Sequence, residues 1–294
     1  MTRGVALAMV YCGAAFGGSF LFMRVAAPDL PAPVVAFFRV GIASLLLLVA
    51  GGPSLLPVLR REWRGFAVLG VFMTGGPFLL FAAAERSITA GLGAVINATT
   101  PMWTVLIVAV WMRQAPTIAR IVAVVIGLAG VGVIVGVEGL RISADAWLGV
   151  ALATIAASSY GIGLTYVRRN MTSLEPLTLA FGQLAAGAVL LLPFAVLTAG
   201  DAHPTVPSVA AVIGIATVST AIAWPLLFRV NRRVGPLATT TVTFLNPIFG
   251  VLWGALFLQE AVTPTLLGGG VLVFIALALI LNVRPTQLFR RATA

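Results

Sequence analysis

Ten apolar runs, each close to the about 20 residues that cross a hydrocarbon core, leave this chain little to become except a bundle of transmembrane helices. They fall at roughly 5–27, 33–51, 65–84, 90–112, 118–137, 147–168, 176–199, 207–229, 236–258 and 264–282. Prolines stand at most junctions: Pro28, Pro31, Pro33, Pro53, Pro57, Pro116, Pro176, Pro204, Pro207, Pro236, Pro264 and Pro285. The residue before a proline is biased away from helix, while proline itself suits a first helical turn. The predicted fold class is therefore an all-α membrane protein of ten transmembrane helices, with loops too short for a soluble domain. Composition agrees, since 60% of the residues are hydrophobic and 9% are charged, where a soluble domain carries about 25% charged. The first run is nearer a full span than the roughly 7–15-residue core of a signal peptide, so it reads as a retained helix.

Charge sets the orientation. The chain carries 18 arginines and no lysine, with a net charge of +10. A basic balance of this size can mark nucleic-acid binding, but these arginines sit in twos and threes between apolar runs, so no nucleic-acid partner is expected. With ten spans, one face collects Arg3, Arg60, Arg61, Arg64, Arg113, Arg120, Arg168, Arg169, Arg229, Arg232, Arg233, Arg284, Arg290 and Arg291. The other face holds Arg24, Arg86 and Arg141, and Arg39 is left inside a span. The positive-inside rule then places both termini in the cytoplasm. Cys12 is the single cysteine and His203 the single histidine, so neither an internal disulfide nor a metal cage is expected, and no cofactor is implied.

The chain also repeats itself. At an offset of 144, Ala36-Phe37-Phe38-Arg39 and Leu46-Leu47-Leu48 lie over Ala180-Phe181-Gly182-Gln183 and Leu190-Leu191-Leu192. The same offset lays Phe16-Gly17 over Tyr160-Gly161 and Arg24 over Arg168. At 146, Thr99-Thr100-Pro101-Met102-Trp103 lies over Leu245-Asn246-Pro247-Ile248-Phe249, and Arg113-Gln114-Ala115-Pro116-Thr117 over Gln259-Glu260-Ala261-Val262-Thr263. Two five-helix repeats, residues 1–141 and 142–294, are expected. Five crossings are an odd number, so the second repeat enters from the opposite face and is inverted. Inverted repeats belong to secondary transporters, with the substrate held near the midplane between halves.

Two five-helix halves, each with a proline in its fourth helix and a small-residue fifth helix, resemble the drug/metabolite transporter superfamily, in its EamA-type ten-helix branch. The stretch that carries the resemblance is Asn246-Pro247-Ile248, Leu256-Phe257-Leu258-Gln259-Glu260-Ala261-Val262-Thr263 and Gly268-Gly269-Gly270. The first half departs from the pattern, with Gln114 where the family often has glutamate and Arg113 where it often has glycine. Within the branch the chain is most similar to YddG-type amino-acid exporters. The resemblance implies a multi-pass protein of the bacterial inner membrane whose partner is a small molecule, an amino acid, aromatic ones included. No oligomeric state is implied, and a monomer is compatible with it.

Polar groups inside spans are costly in lipid and tend to face a cavity or a partner. Arg39 offers two readings: it meets a substrate carboxylate, or it orients and gates by pairing with Asp29 or a helix-end carbonyl. The fourth helix carries Asn97, Thr99, Thr100, Pro101, Trp103 and Thr104; the ninth carries Thr239, Thr240, Thr241, Thr243, Asn246 and Pro247. A mid-helix proline frees a carbonyl that a hydroxyl or a wet cavity must satisfy. The third helix adds Thr74 and Phe78, the sixth Tyr160, and the eighth Ser219 and Trp224. Expected substrate-binding residues are thus Thr74, Phe78, Asn97, Thr100, Trp103, Tyr160, Ser219, Trp224, Thr243 and Asn246, with Arg39, Pro101 and Pro247 gating or orienting. Glycine pairs Gly13/Gly17, Gly132/Gly136 and Gly250/Gly254 permit close helix packing. No acidic residue falls near the centre of a span, so transport without proton exchange is expected. An enzyme is not expected. Rival readings are a multidrug or nucleotide-sugar transporter, or a membrane assembly subunit that carries nothing.

Overall fold

The computed structural model describes residues 3–111, 113, 116–139, 144–239 and 242–280. Arg141, Thr240, Thr241, Gln114 and the arginines after residue 280 lie outside the described residues, as do the side chains of Gly132, Gly136 and Thr243. Among the described residues ten long helical elements follow in order, and none is a strand. The first is Arg3–Ala26, the second Ala32–Gly51, the third Trp63–Ala84 and the fourth Ala90–Trp111. The fifth is Ile118–Gly139, the sixth Ala144–Asn170 and the seventh Pro176–Thr198. The eighth joins Val206–Ala216, Thr217–Ile222 and Ala223–Thr239; the ninth is Val242–Leu258 and the tenth Pro264–Ile280.

Four details differ from the sequence expectation. A short helix, Leu55–Arg61, occupies the second-to-third connection. The eighth helix runs through Pro236 to Thr239, because the residue before a proline is a biased boundary and not an obligatory one. The fourth helix is broken into Ala90–Asn97 and Thr100–Trp111. Pro101 removes the N–H that would bond the Asn97 carbonyl, and the Thr100 hydroxyl donates to that carbonyl at 2.8 Å in its place. Finally, the third and eighth helices each loosen into a π turn, Gly70–Thr74 and Thr217–Ile222. Each turn is followed three residues on by a proline, Pro77 and Pro225. The wider turn absorbs the ladder bond that the proline cannot make.

The connections sort onto two faces, as the odd-even charge pattern requires. The His203 N–H donates to the Asp29 carbonyl at 2.9 Å, joining the seventh-to-eighth turn to the first-to-second. A cavity lined by Arg24, Arg86 and Glu260 joins the first, third and ninth helix ends on the same face. On the opposite face, the sites of Cβ atoms built on Gly51 and Gly65 would lie 2.7 Å from Leu177 and 2.9 Å from Met171. The repeats also correspond in backbone detail. Arg113 and Gln259, 146 positions apart, end the fourth and ninth helices with φ of 52° and 54°, a left-handed conformation uncommon outside glycine.

Packing follows the inverted symmetry. The second helix packs on the seventh, the fourth on the ninth and the fifth on the tenth, while the first lies against the eighth and ninth as the sixth lies against the third and fourth. Helices in lipid gain no hydrophobic drive from one another, so small residues that let backbones approach do the work. At Gly17 an added Cβ would sit 2.7 Å from the Asn246 carbonyl and 2.9 Å from the Gly250 nitrogen. Large apolar side chains that find no protein neighbour, such as Val49 (84% exposed) and Leu197 (81%), present the outer surface to hydrocarbon. Gly17→Ala should cost about 1–3 kcal/mol through overpacking. Gly41→Ala, whose Cβ meets nothing within 4 Å, should instead be neutral or stabilise by up to about 1 kcal/mol. Thermal unfolding in detergent compares the two.

Candidate substrate site

A single guanidinium organises the interior. Arg39 in the second helix is 4% exposed. Its Nε donates to Thr220 Oγ1 at 3.1 Å, one Nη to Ser19 Oγ at 3.4 Å and the other to Met23 Sδ at 3.8 Å. Its carbon centre lies 3.6 Å from the centroid of the Phe78 ring, a cation–π contact. Every one of these partners is neutral. Asp29 is engaged elsewhere, accepting a hydrogen bond from Thr205. Among the described residues no carboxylate pairs with Arg39, so the pairing with Asp29 that the sequence allowed does not form.

Thr220 holds this arginine because of the π turn. Its hydroxyl donates to the Ile215 carbonyl at 2.7 Å, five residues back, and accepts from Arg39. The symmetry-related Thr74, 146 positions earlier, sits at the end of the other π turn and donates to the Gln183 carbonyl at 2.8 Å. Gln183 is the repeat counterpart of Arg39. Two π-turn threonines thus grip the second and seventh helices at equivalent places. Tyr11 and Cys12 of the first helix donate to the Val218 and Ala223 carbonyls, which adds bonds around the eighth-helix distortion.

Other aromatic rings pair between helices. Phe20 meets Phe81 edge-on at 5.4 Å, Phe81 stacks on Tyr160 at 6.3 Å, and Phe16 meets Trp224 edge-on at 5.7 Å. Between them the first, third, sixth and eighth helices supply a ring-lined, weakly polar interior. Several polar atoms of the spans are buried without a partner among the described residues: both ends of the Gln183 amide, Ser219 Oγ, Trp224 Nε1 and Asn246 Oδ1. Unsatisfied buried polar groups are costly, and within spans they mark places that water or a ligand completes.

The expected residues divide accordingly. Arg39 comes together with Phe78 and Thr220, Tyr160 and Trp224 pack in the same buried cluster as Phe78, and Ser219 precedes Thr220 on the π turn. Thr74 serves the helix–helix contact with Gln183. Thr100 and Trp103 repair the broken fourth helix, the indole N–H of Trp103 donating to Thr99 Oγ1 at 3.1 Å. Asn97 supplies the carbonyl that Thr100 caps. Pro101 stands in the first turn after the break, whereas Pro247 lies inside the ninth helix next to buried Asn246. Ser19 and Met23 do not stand out in the sequence, whereas Thr220 falls in the polar stretch Ser219-Thr220-Ala221 of the eighth helix, at the 146-residue offset from Thr74. Thr220→Val should leave Arg39 Nε and the Ile215 carbonyl unpartnered and cost about 1–3 kcal/mol, with Thr220→Ser restoring most of it, as read by thermal unfolding in detergent.

Comparison with known proteins agrees with this architecture. The chain matches the EamA-like transporter family over residues 3–136 and again over 147–282. It is 27% identical over 248 residues to the uncharacterized inner membrane transporter YedA of Escherichia coli, covering 81% of this chain and 78% of that protein. It is 26% identical over 254 residues to protein PecM of Dickeya dadantii, covering 85% and 84%. It is 27% identical over 281 residues to the threonine/homoserine exporter RhtA of Escherichia coli, covering 95% and 90%. A solved crystal structure superposes over 100% of both chains with a TM-score of 0.67 at 17% identity, which speaks to the fold alone. With both halves matched and the helices arranged as above, the chain belongs to the EamA-like transporter family and is a membrane transporter.

Proposed function

We propose that this transporter exports small amphipathic metabolites, amino acids with aromatic ones among them, by alternating access between the halves 1–141 and 142–294. The observation that carries the reading is Arg39, a buried guanidinium with only neutral partners set among aromatic rings. A carboxylate is the ligand such a group lacks, because a charge-assisted bond to guanidinium is worth about twice a neutral one. Phe78, Tyr160 and Trp224 suit the apolar side chain beyond it, and Ser219, Gln183 and Asn246 offer unfilled polar atoms for the ammonium group or bridging water. In this reading Thr74, Asn97, Thr100 and Trp103 shape the third and fourth helices around the site, and Pro101 and Pro247 provide the points where the fourth and ninth helices flex.

The similarity to a threonine/homoserine exporter over nearly the whole chain supports the same substrate class. Relatives named as inner membrane transporters support that location, and the arginine bias supports cytoplasmic termini. The substrate's own gradient is the proposed driving force, since among the described residues no carboxylate pairs with Arg39. Nucleotide sugars carry several negative charges, which one interior cation does not match.

Proteoliposomes test this directly. Saturable phenylalanine or threonine counterflow is expected, unchanged when the proton gradient is collapsed at constant pH; no flux across an amino-acid panel sinks the proposal. Arg39→Ala should raise the half-saturating concentration at least tenfold for amino acids. It should leave any carriage of phenethylamine, which has no carboxylate, unaltered.

A further inference from the structure

A second buried charge site lies away from Arg39, at the arginine-poor face. Glu85 ends the third helix, one residue beyond the apolar span Trp63–Ala84. It is 0% exposed, and among the described residues neither carboxyl oxygen has a hydrogen-bond partner. The carboxyl is turned inward against the backbone of the fourth helix, where a Cβ on Gly93 would collide with its Oε1 and approach the Phe20 ring. Glu85 therefore sits between the aromatic interior and the cavity of about 620 Å³ that Arg24, Arg86 and Glu260 line on the outer side.

The neighbouring charges are unequal in what they can do for it. Arg24 of the first helix donates at 2.7 Å to the main-chain carbonyl of Glu85 and not to its carboxyl. Glu260, from the ninth-to-tenth turn, spends its carboxylate on the Ala90 and Gly91 N–H groups at 3.1 and 3.4 Å, at the start of the fourth helix. No other described charged side chain faces the carboxyl from the fourth or sixth helix. Burial foremost, and the Glu260 carboxylate next, hold the Glu85 carboxyl well above the usual carboxylate range, with Arg24 pulling the other way.

We propose that Glu85, with Glu260 as its neighbour, is a proton-binding site that latches the third and fourth helices and the ninth-to-tenth turn together at the arginine-poor face. The arrangement with Glu85 buried binds one more proton than one with it exposed and ionised. It is favoured at low pH and loses stability as pH rises through the Glu85 midpoint. The proton is held and not exchanged on each cycle, so it sets the rate without setting the direction. The rate arm rests on the transport reading above; the proton site does not.

The test uses the full chain in liposomes. Infrared pH titration should show a protonated-carboxyl stretch that persists above the ordinary carboxylate range, vanishes in Glu85→Gln, and titrates at lower pH in Glu260→Gln. Efflux should rise with pH by up to about tenfold per unit in the native protein, and be flat in Glu85→Gln. Loss of the band in Glu85→Gln supports the site even if no amino acid is carried. An unchanged band, or an unchanged pH profile in Glu85→Gln where flux is robust, overturns it.

Discussion

Inside a bilayer every backbone donor and acceptor must find its partner within the protein, and that demand shapes each distortion of these helices. Where Pro101 deletes a ladder bond, Thr100 supplies a hydroxyl to the stranded carbonyl. Where the eighth helix widens, Thr220 reaches back five residues and Tyr11 crosses from the first helix. The irregular points are thereby made affordable, and they are the places where polar side chains cluster. Because Thr220 is committed to the backbone and still presents its oxygen inward, the same repair that preserves the helix also fixes Arg39. Local structure and the interior chemistry are in this respect one problem with one solution.

The two halves share a frame and differ in chemistry. The π turns, the left-handed helix ends at Arg113 and Gln259, and the paired threonines recur at equivalent positions. Two of the charged groups do not. Arg39 answers to Gln183, and Glu260 falls where the first half has Gln114. Symmetric backbones allow two related shapes to be close in energy. Asymmetric charge gives each face its own ligand, an anion in the interior and a proton at the rim in the proposals above.

How much of this could be read from the sequence depends on range. Span count, face assignment and the 146-residue correspondence are one-dimensional properties, and arginine placement and proline spacing carry them. The π turns were not legible, because a fifth residue in a turn leaves hydrophobicity untouched. Pro236 suggested an end and Pro101 did not suggest a break, since proline announces a lost bond without saying how the chain will restore it. Arg39 stood out at once as an arginine in a span. Its link to Ser19 and to Thr220 of the Ser219-Thr220-Ala221 stretch did not, since they lie 20 and 181 residues away on other helices. Glu85 reads as a loop-end carboxylate until the fold buries it against Gly93 and brings Glu260 beside it.

A fixed positive charge with no counter-charge has an electrical consequence. Moving one charge through the full membrane potential is worth about 2.3 kcal/mol per 100 mV. A zwitterion bound at Arg39 would neutralise the guanidinium with its carboxylate but bring its own ammonium, leaving the loaded and empty carriers with equal charge. Voltage would then act alike on both legs of the cycle and drop out of the driving force. A simple monoanion would make the loaded carrier neutral, and only the empty return would feel the field. In the proposed binding mode the cargo's own net charge decides whether voltage enters the driving force, and Arg39 decides which leg of the cycle feels it.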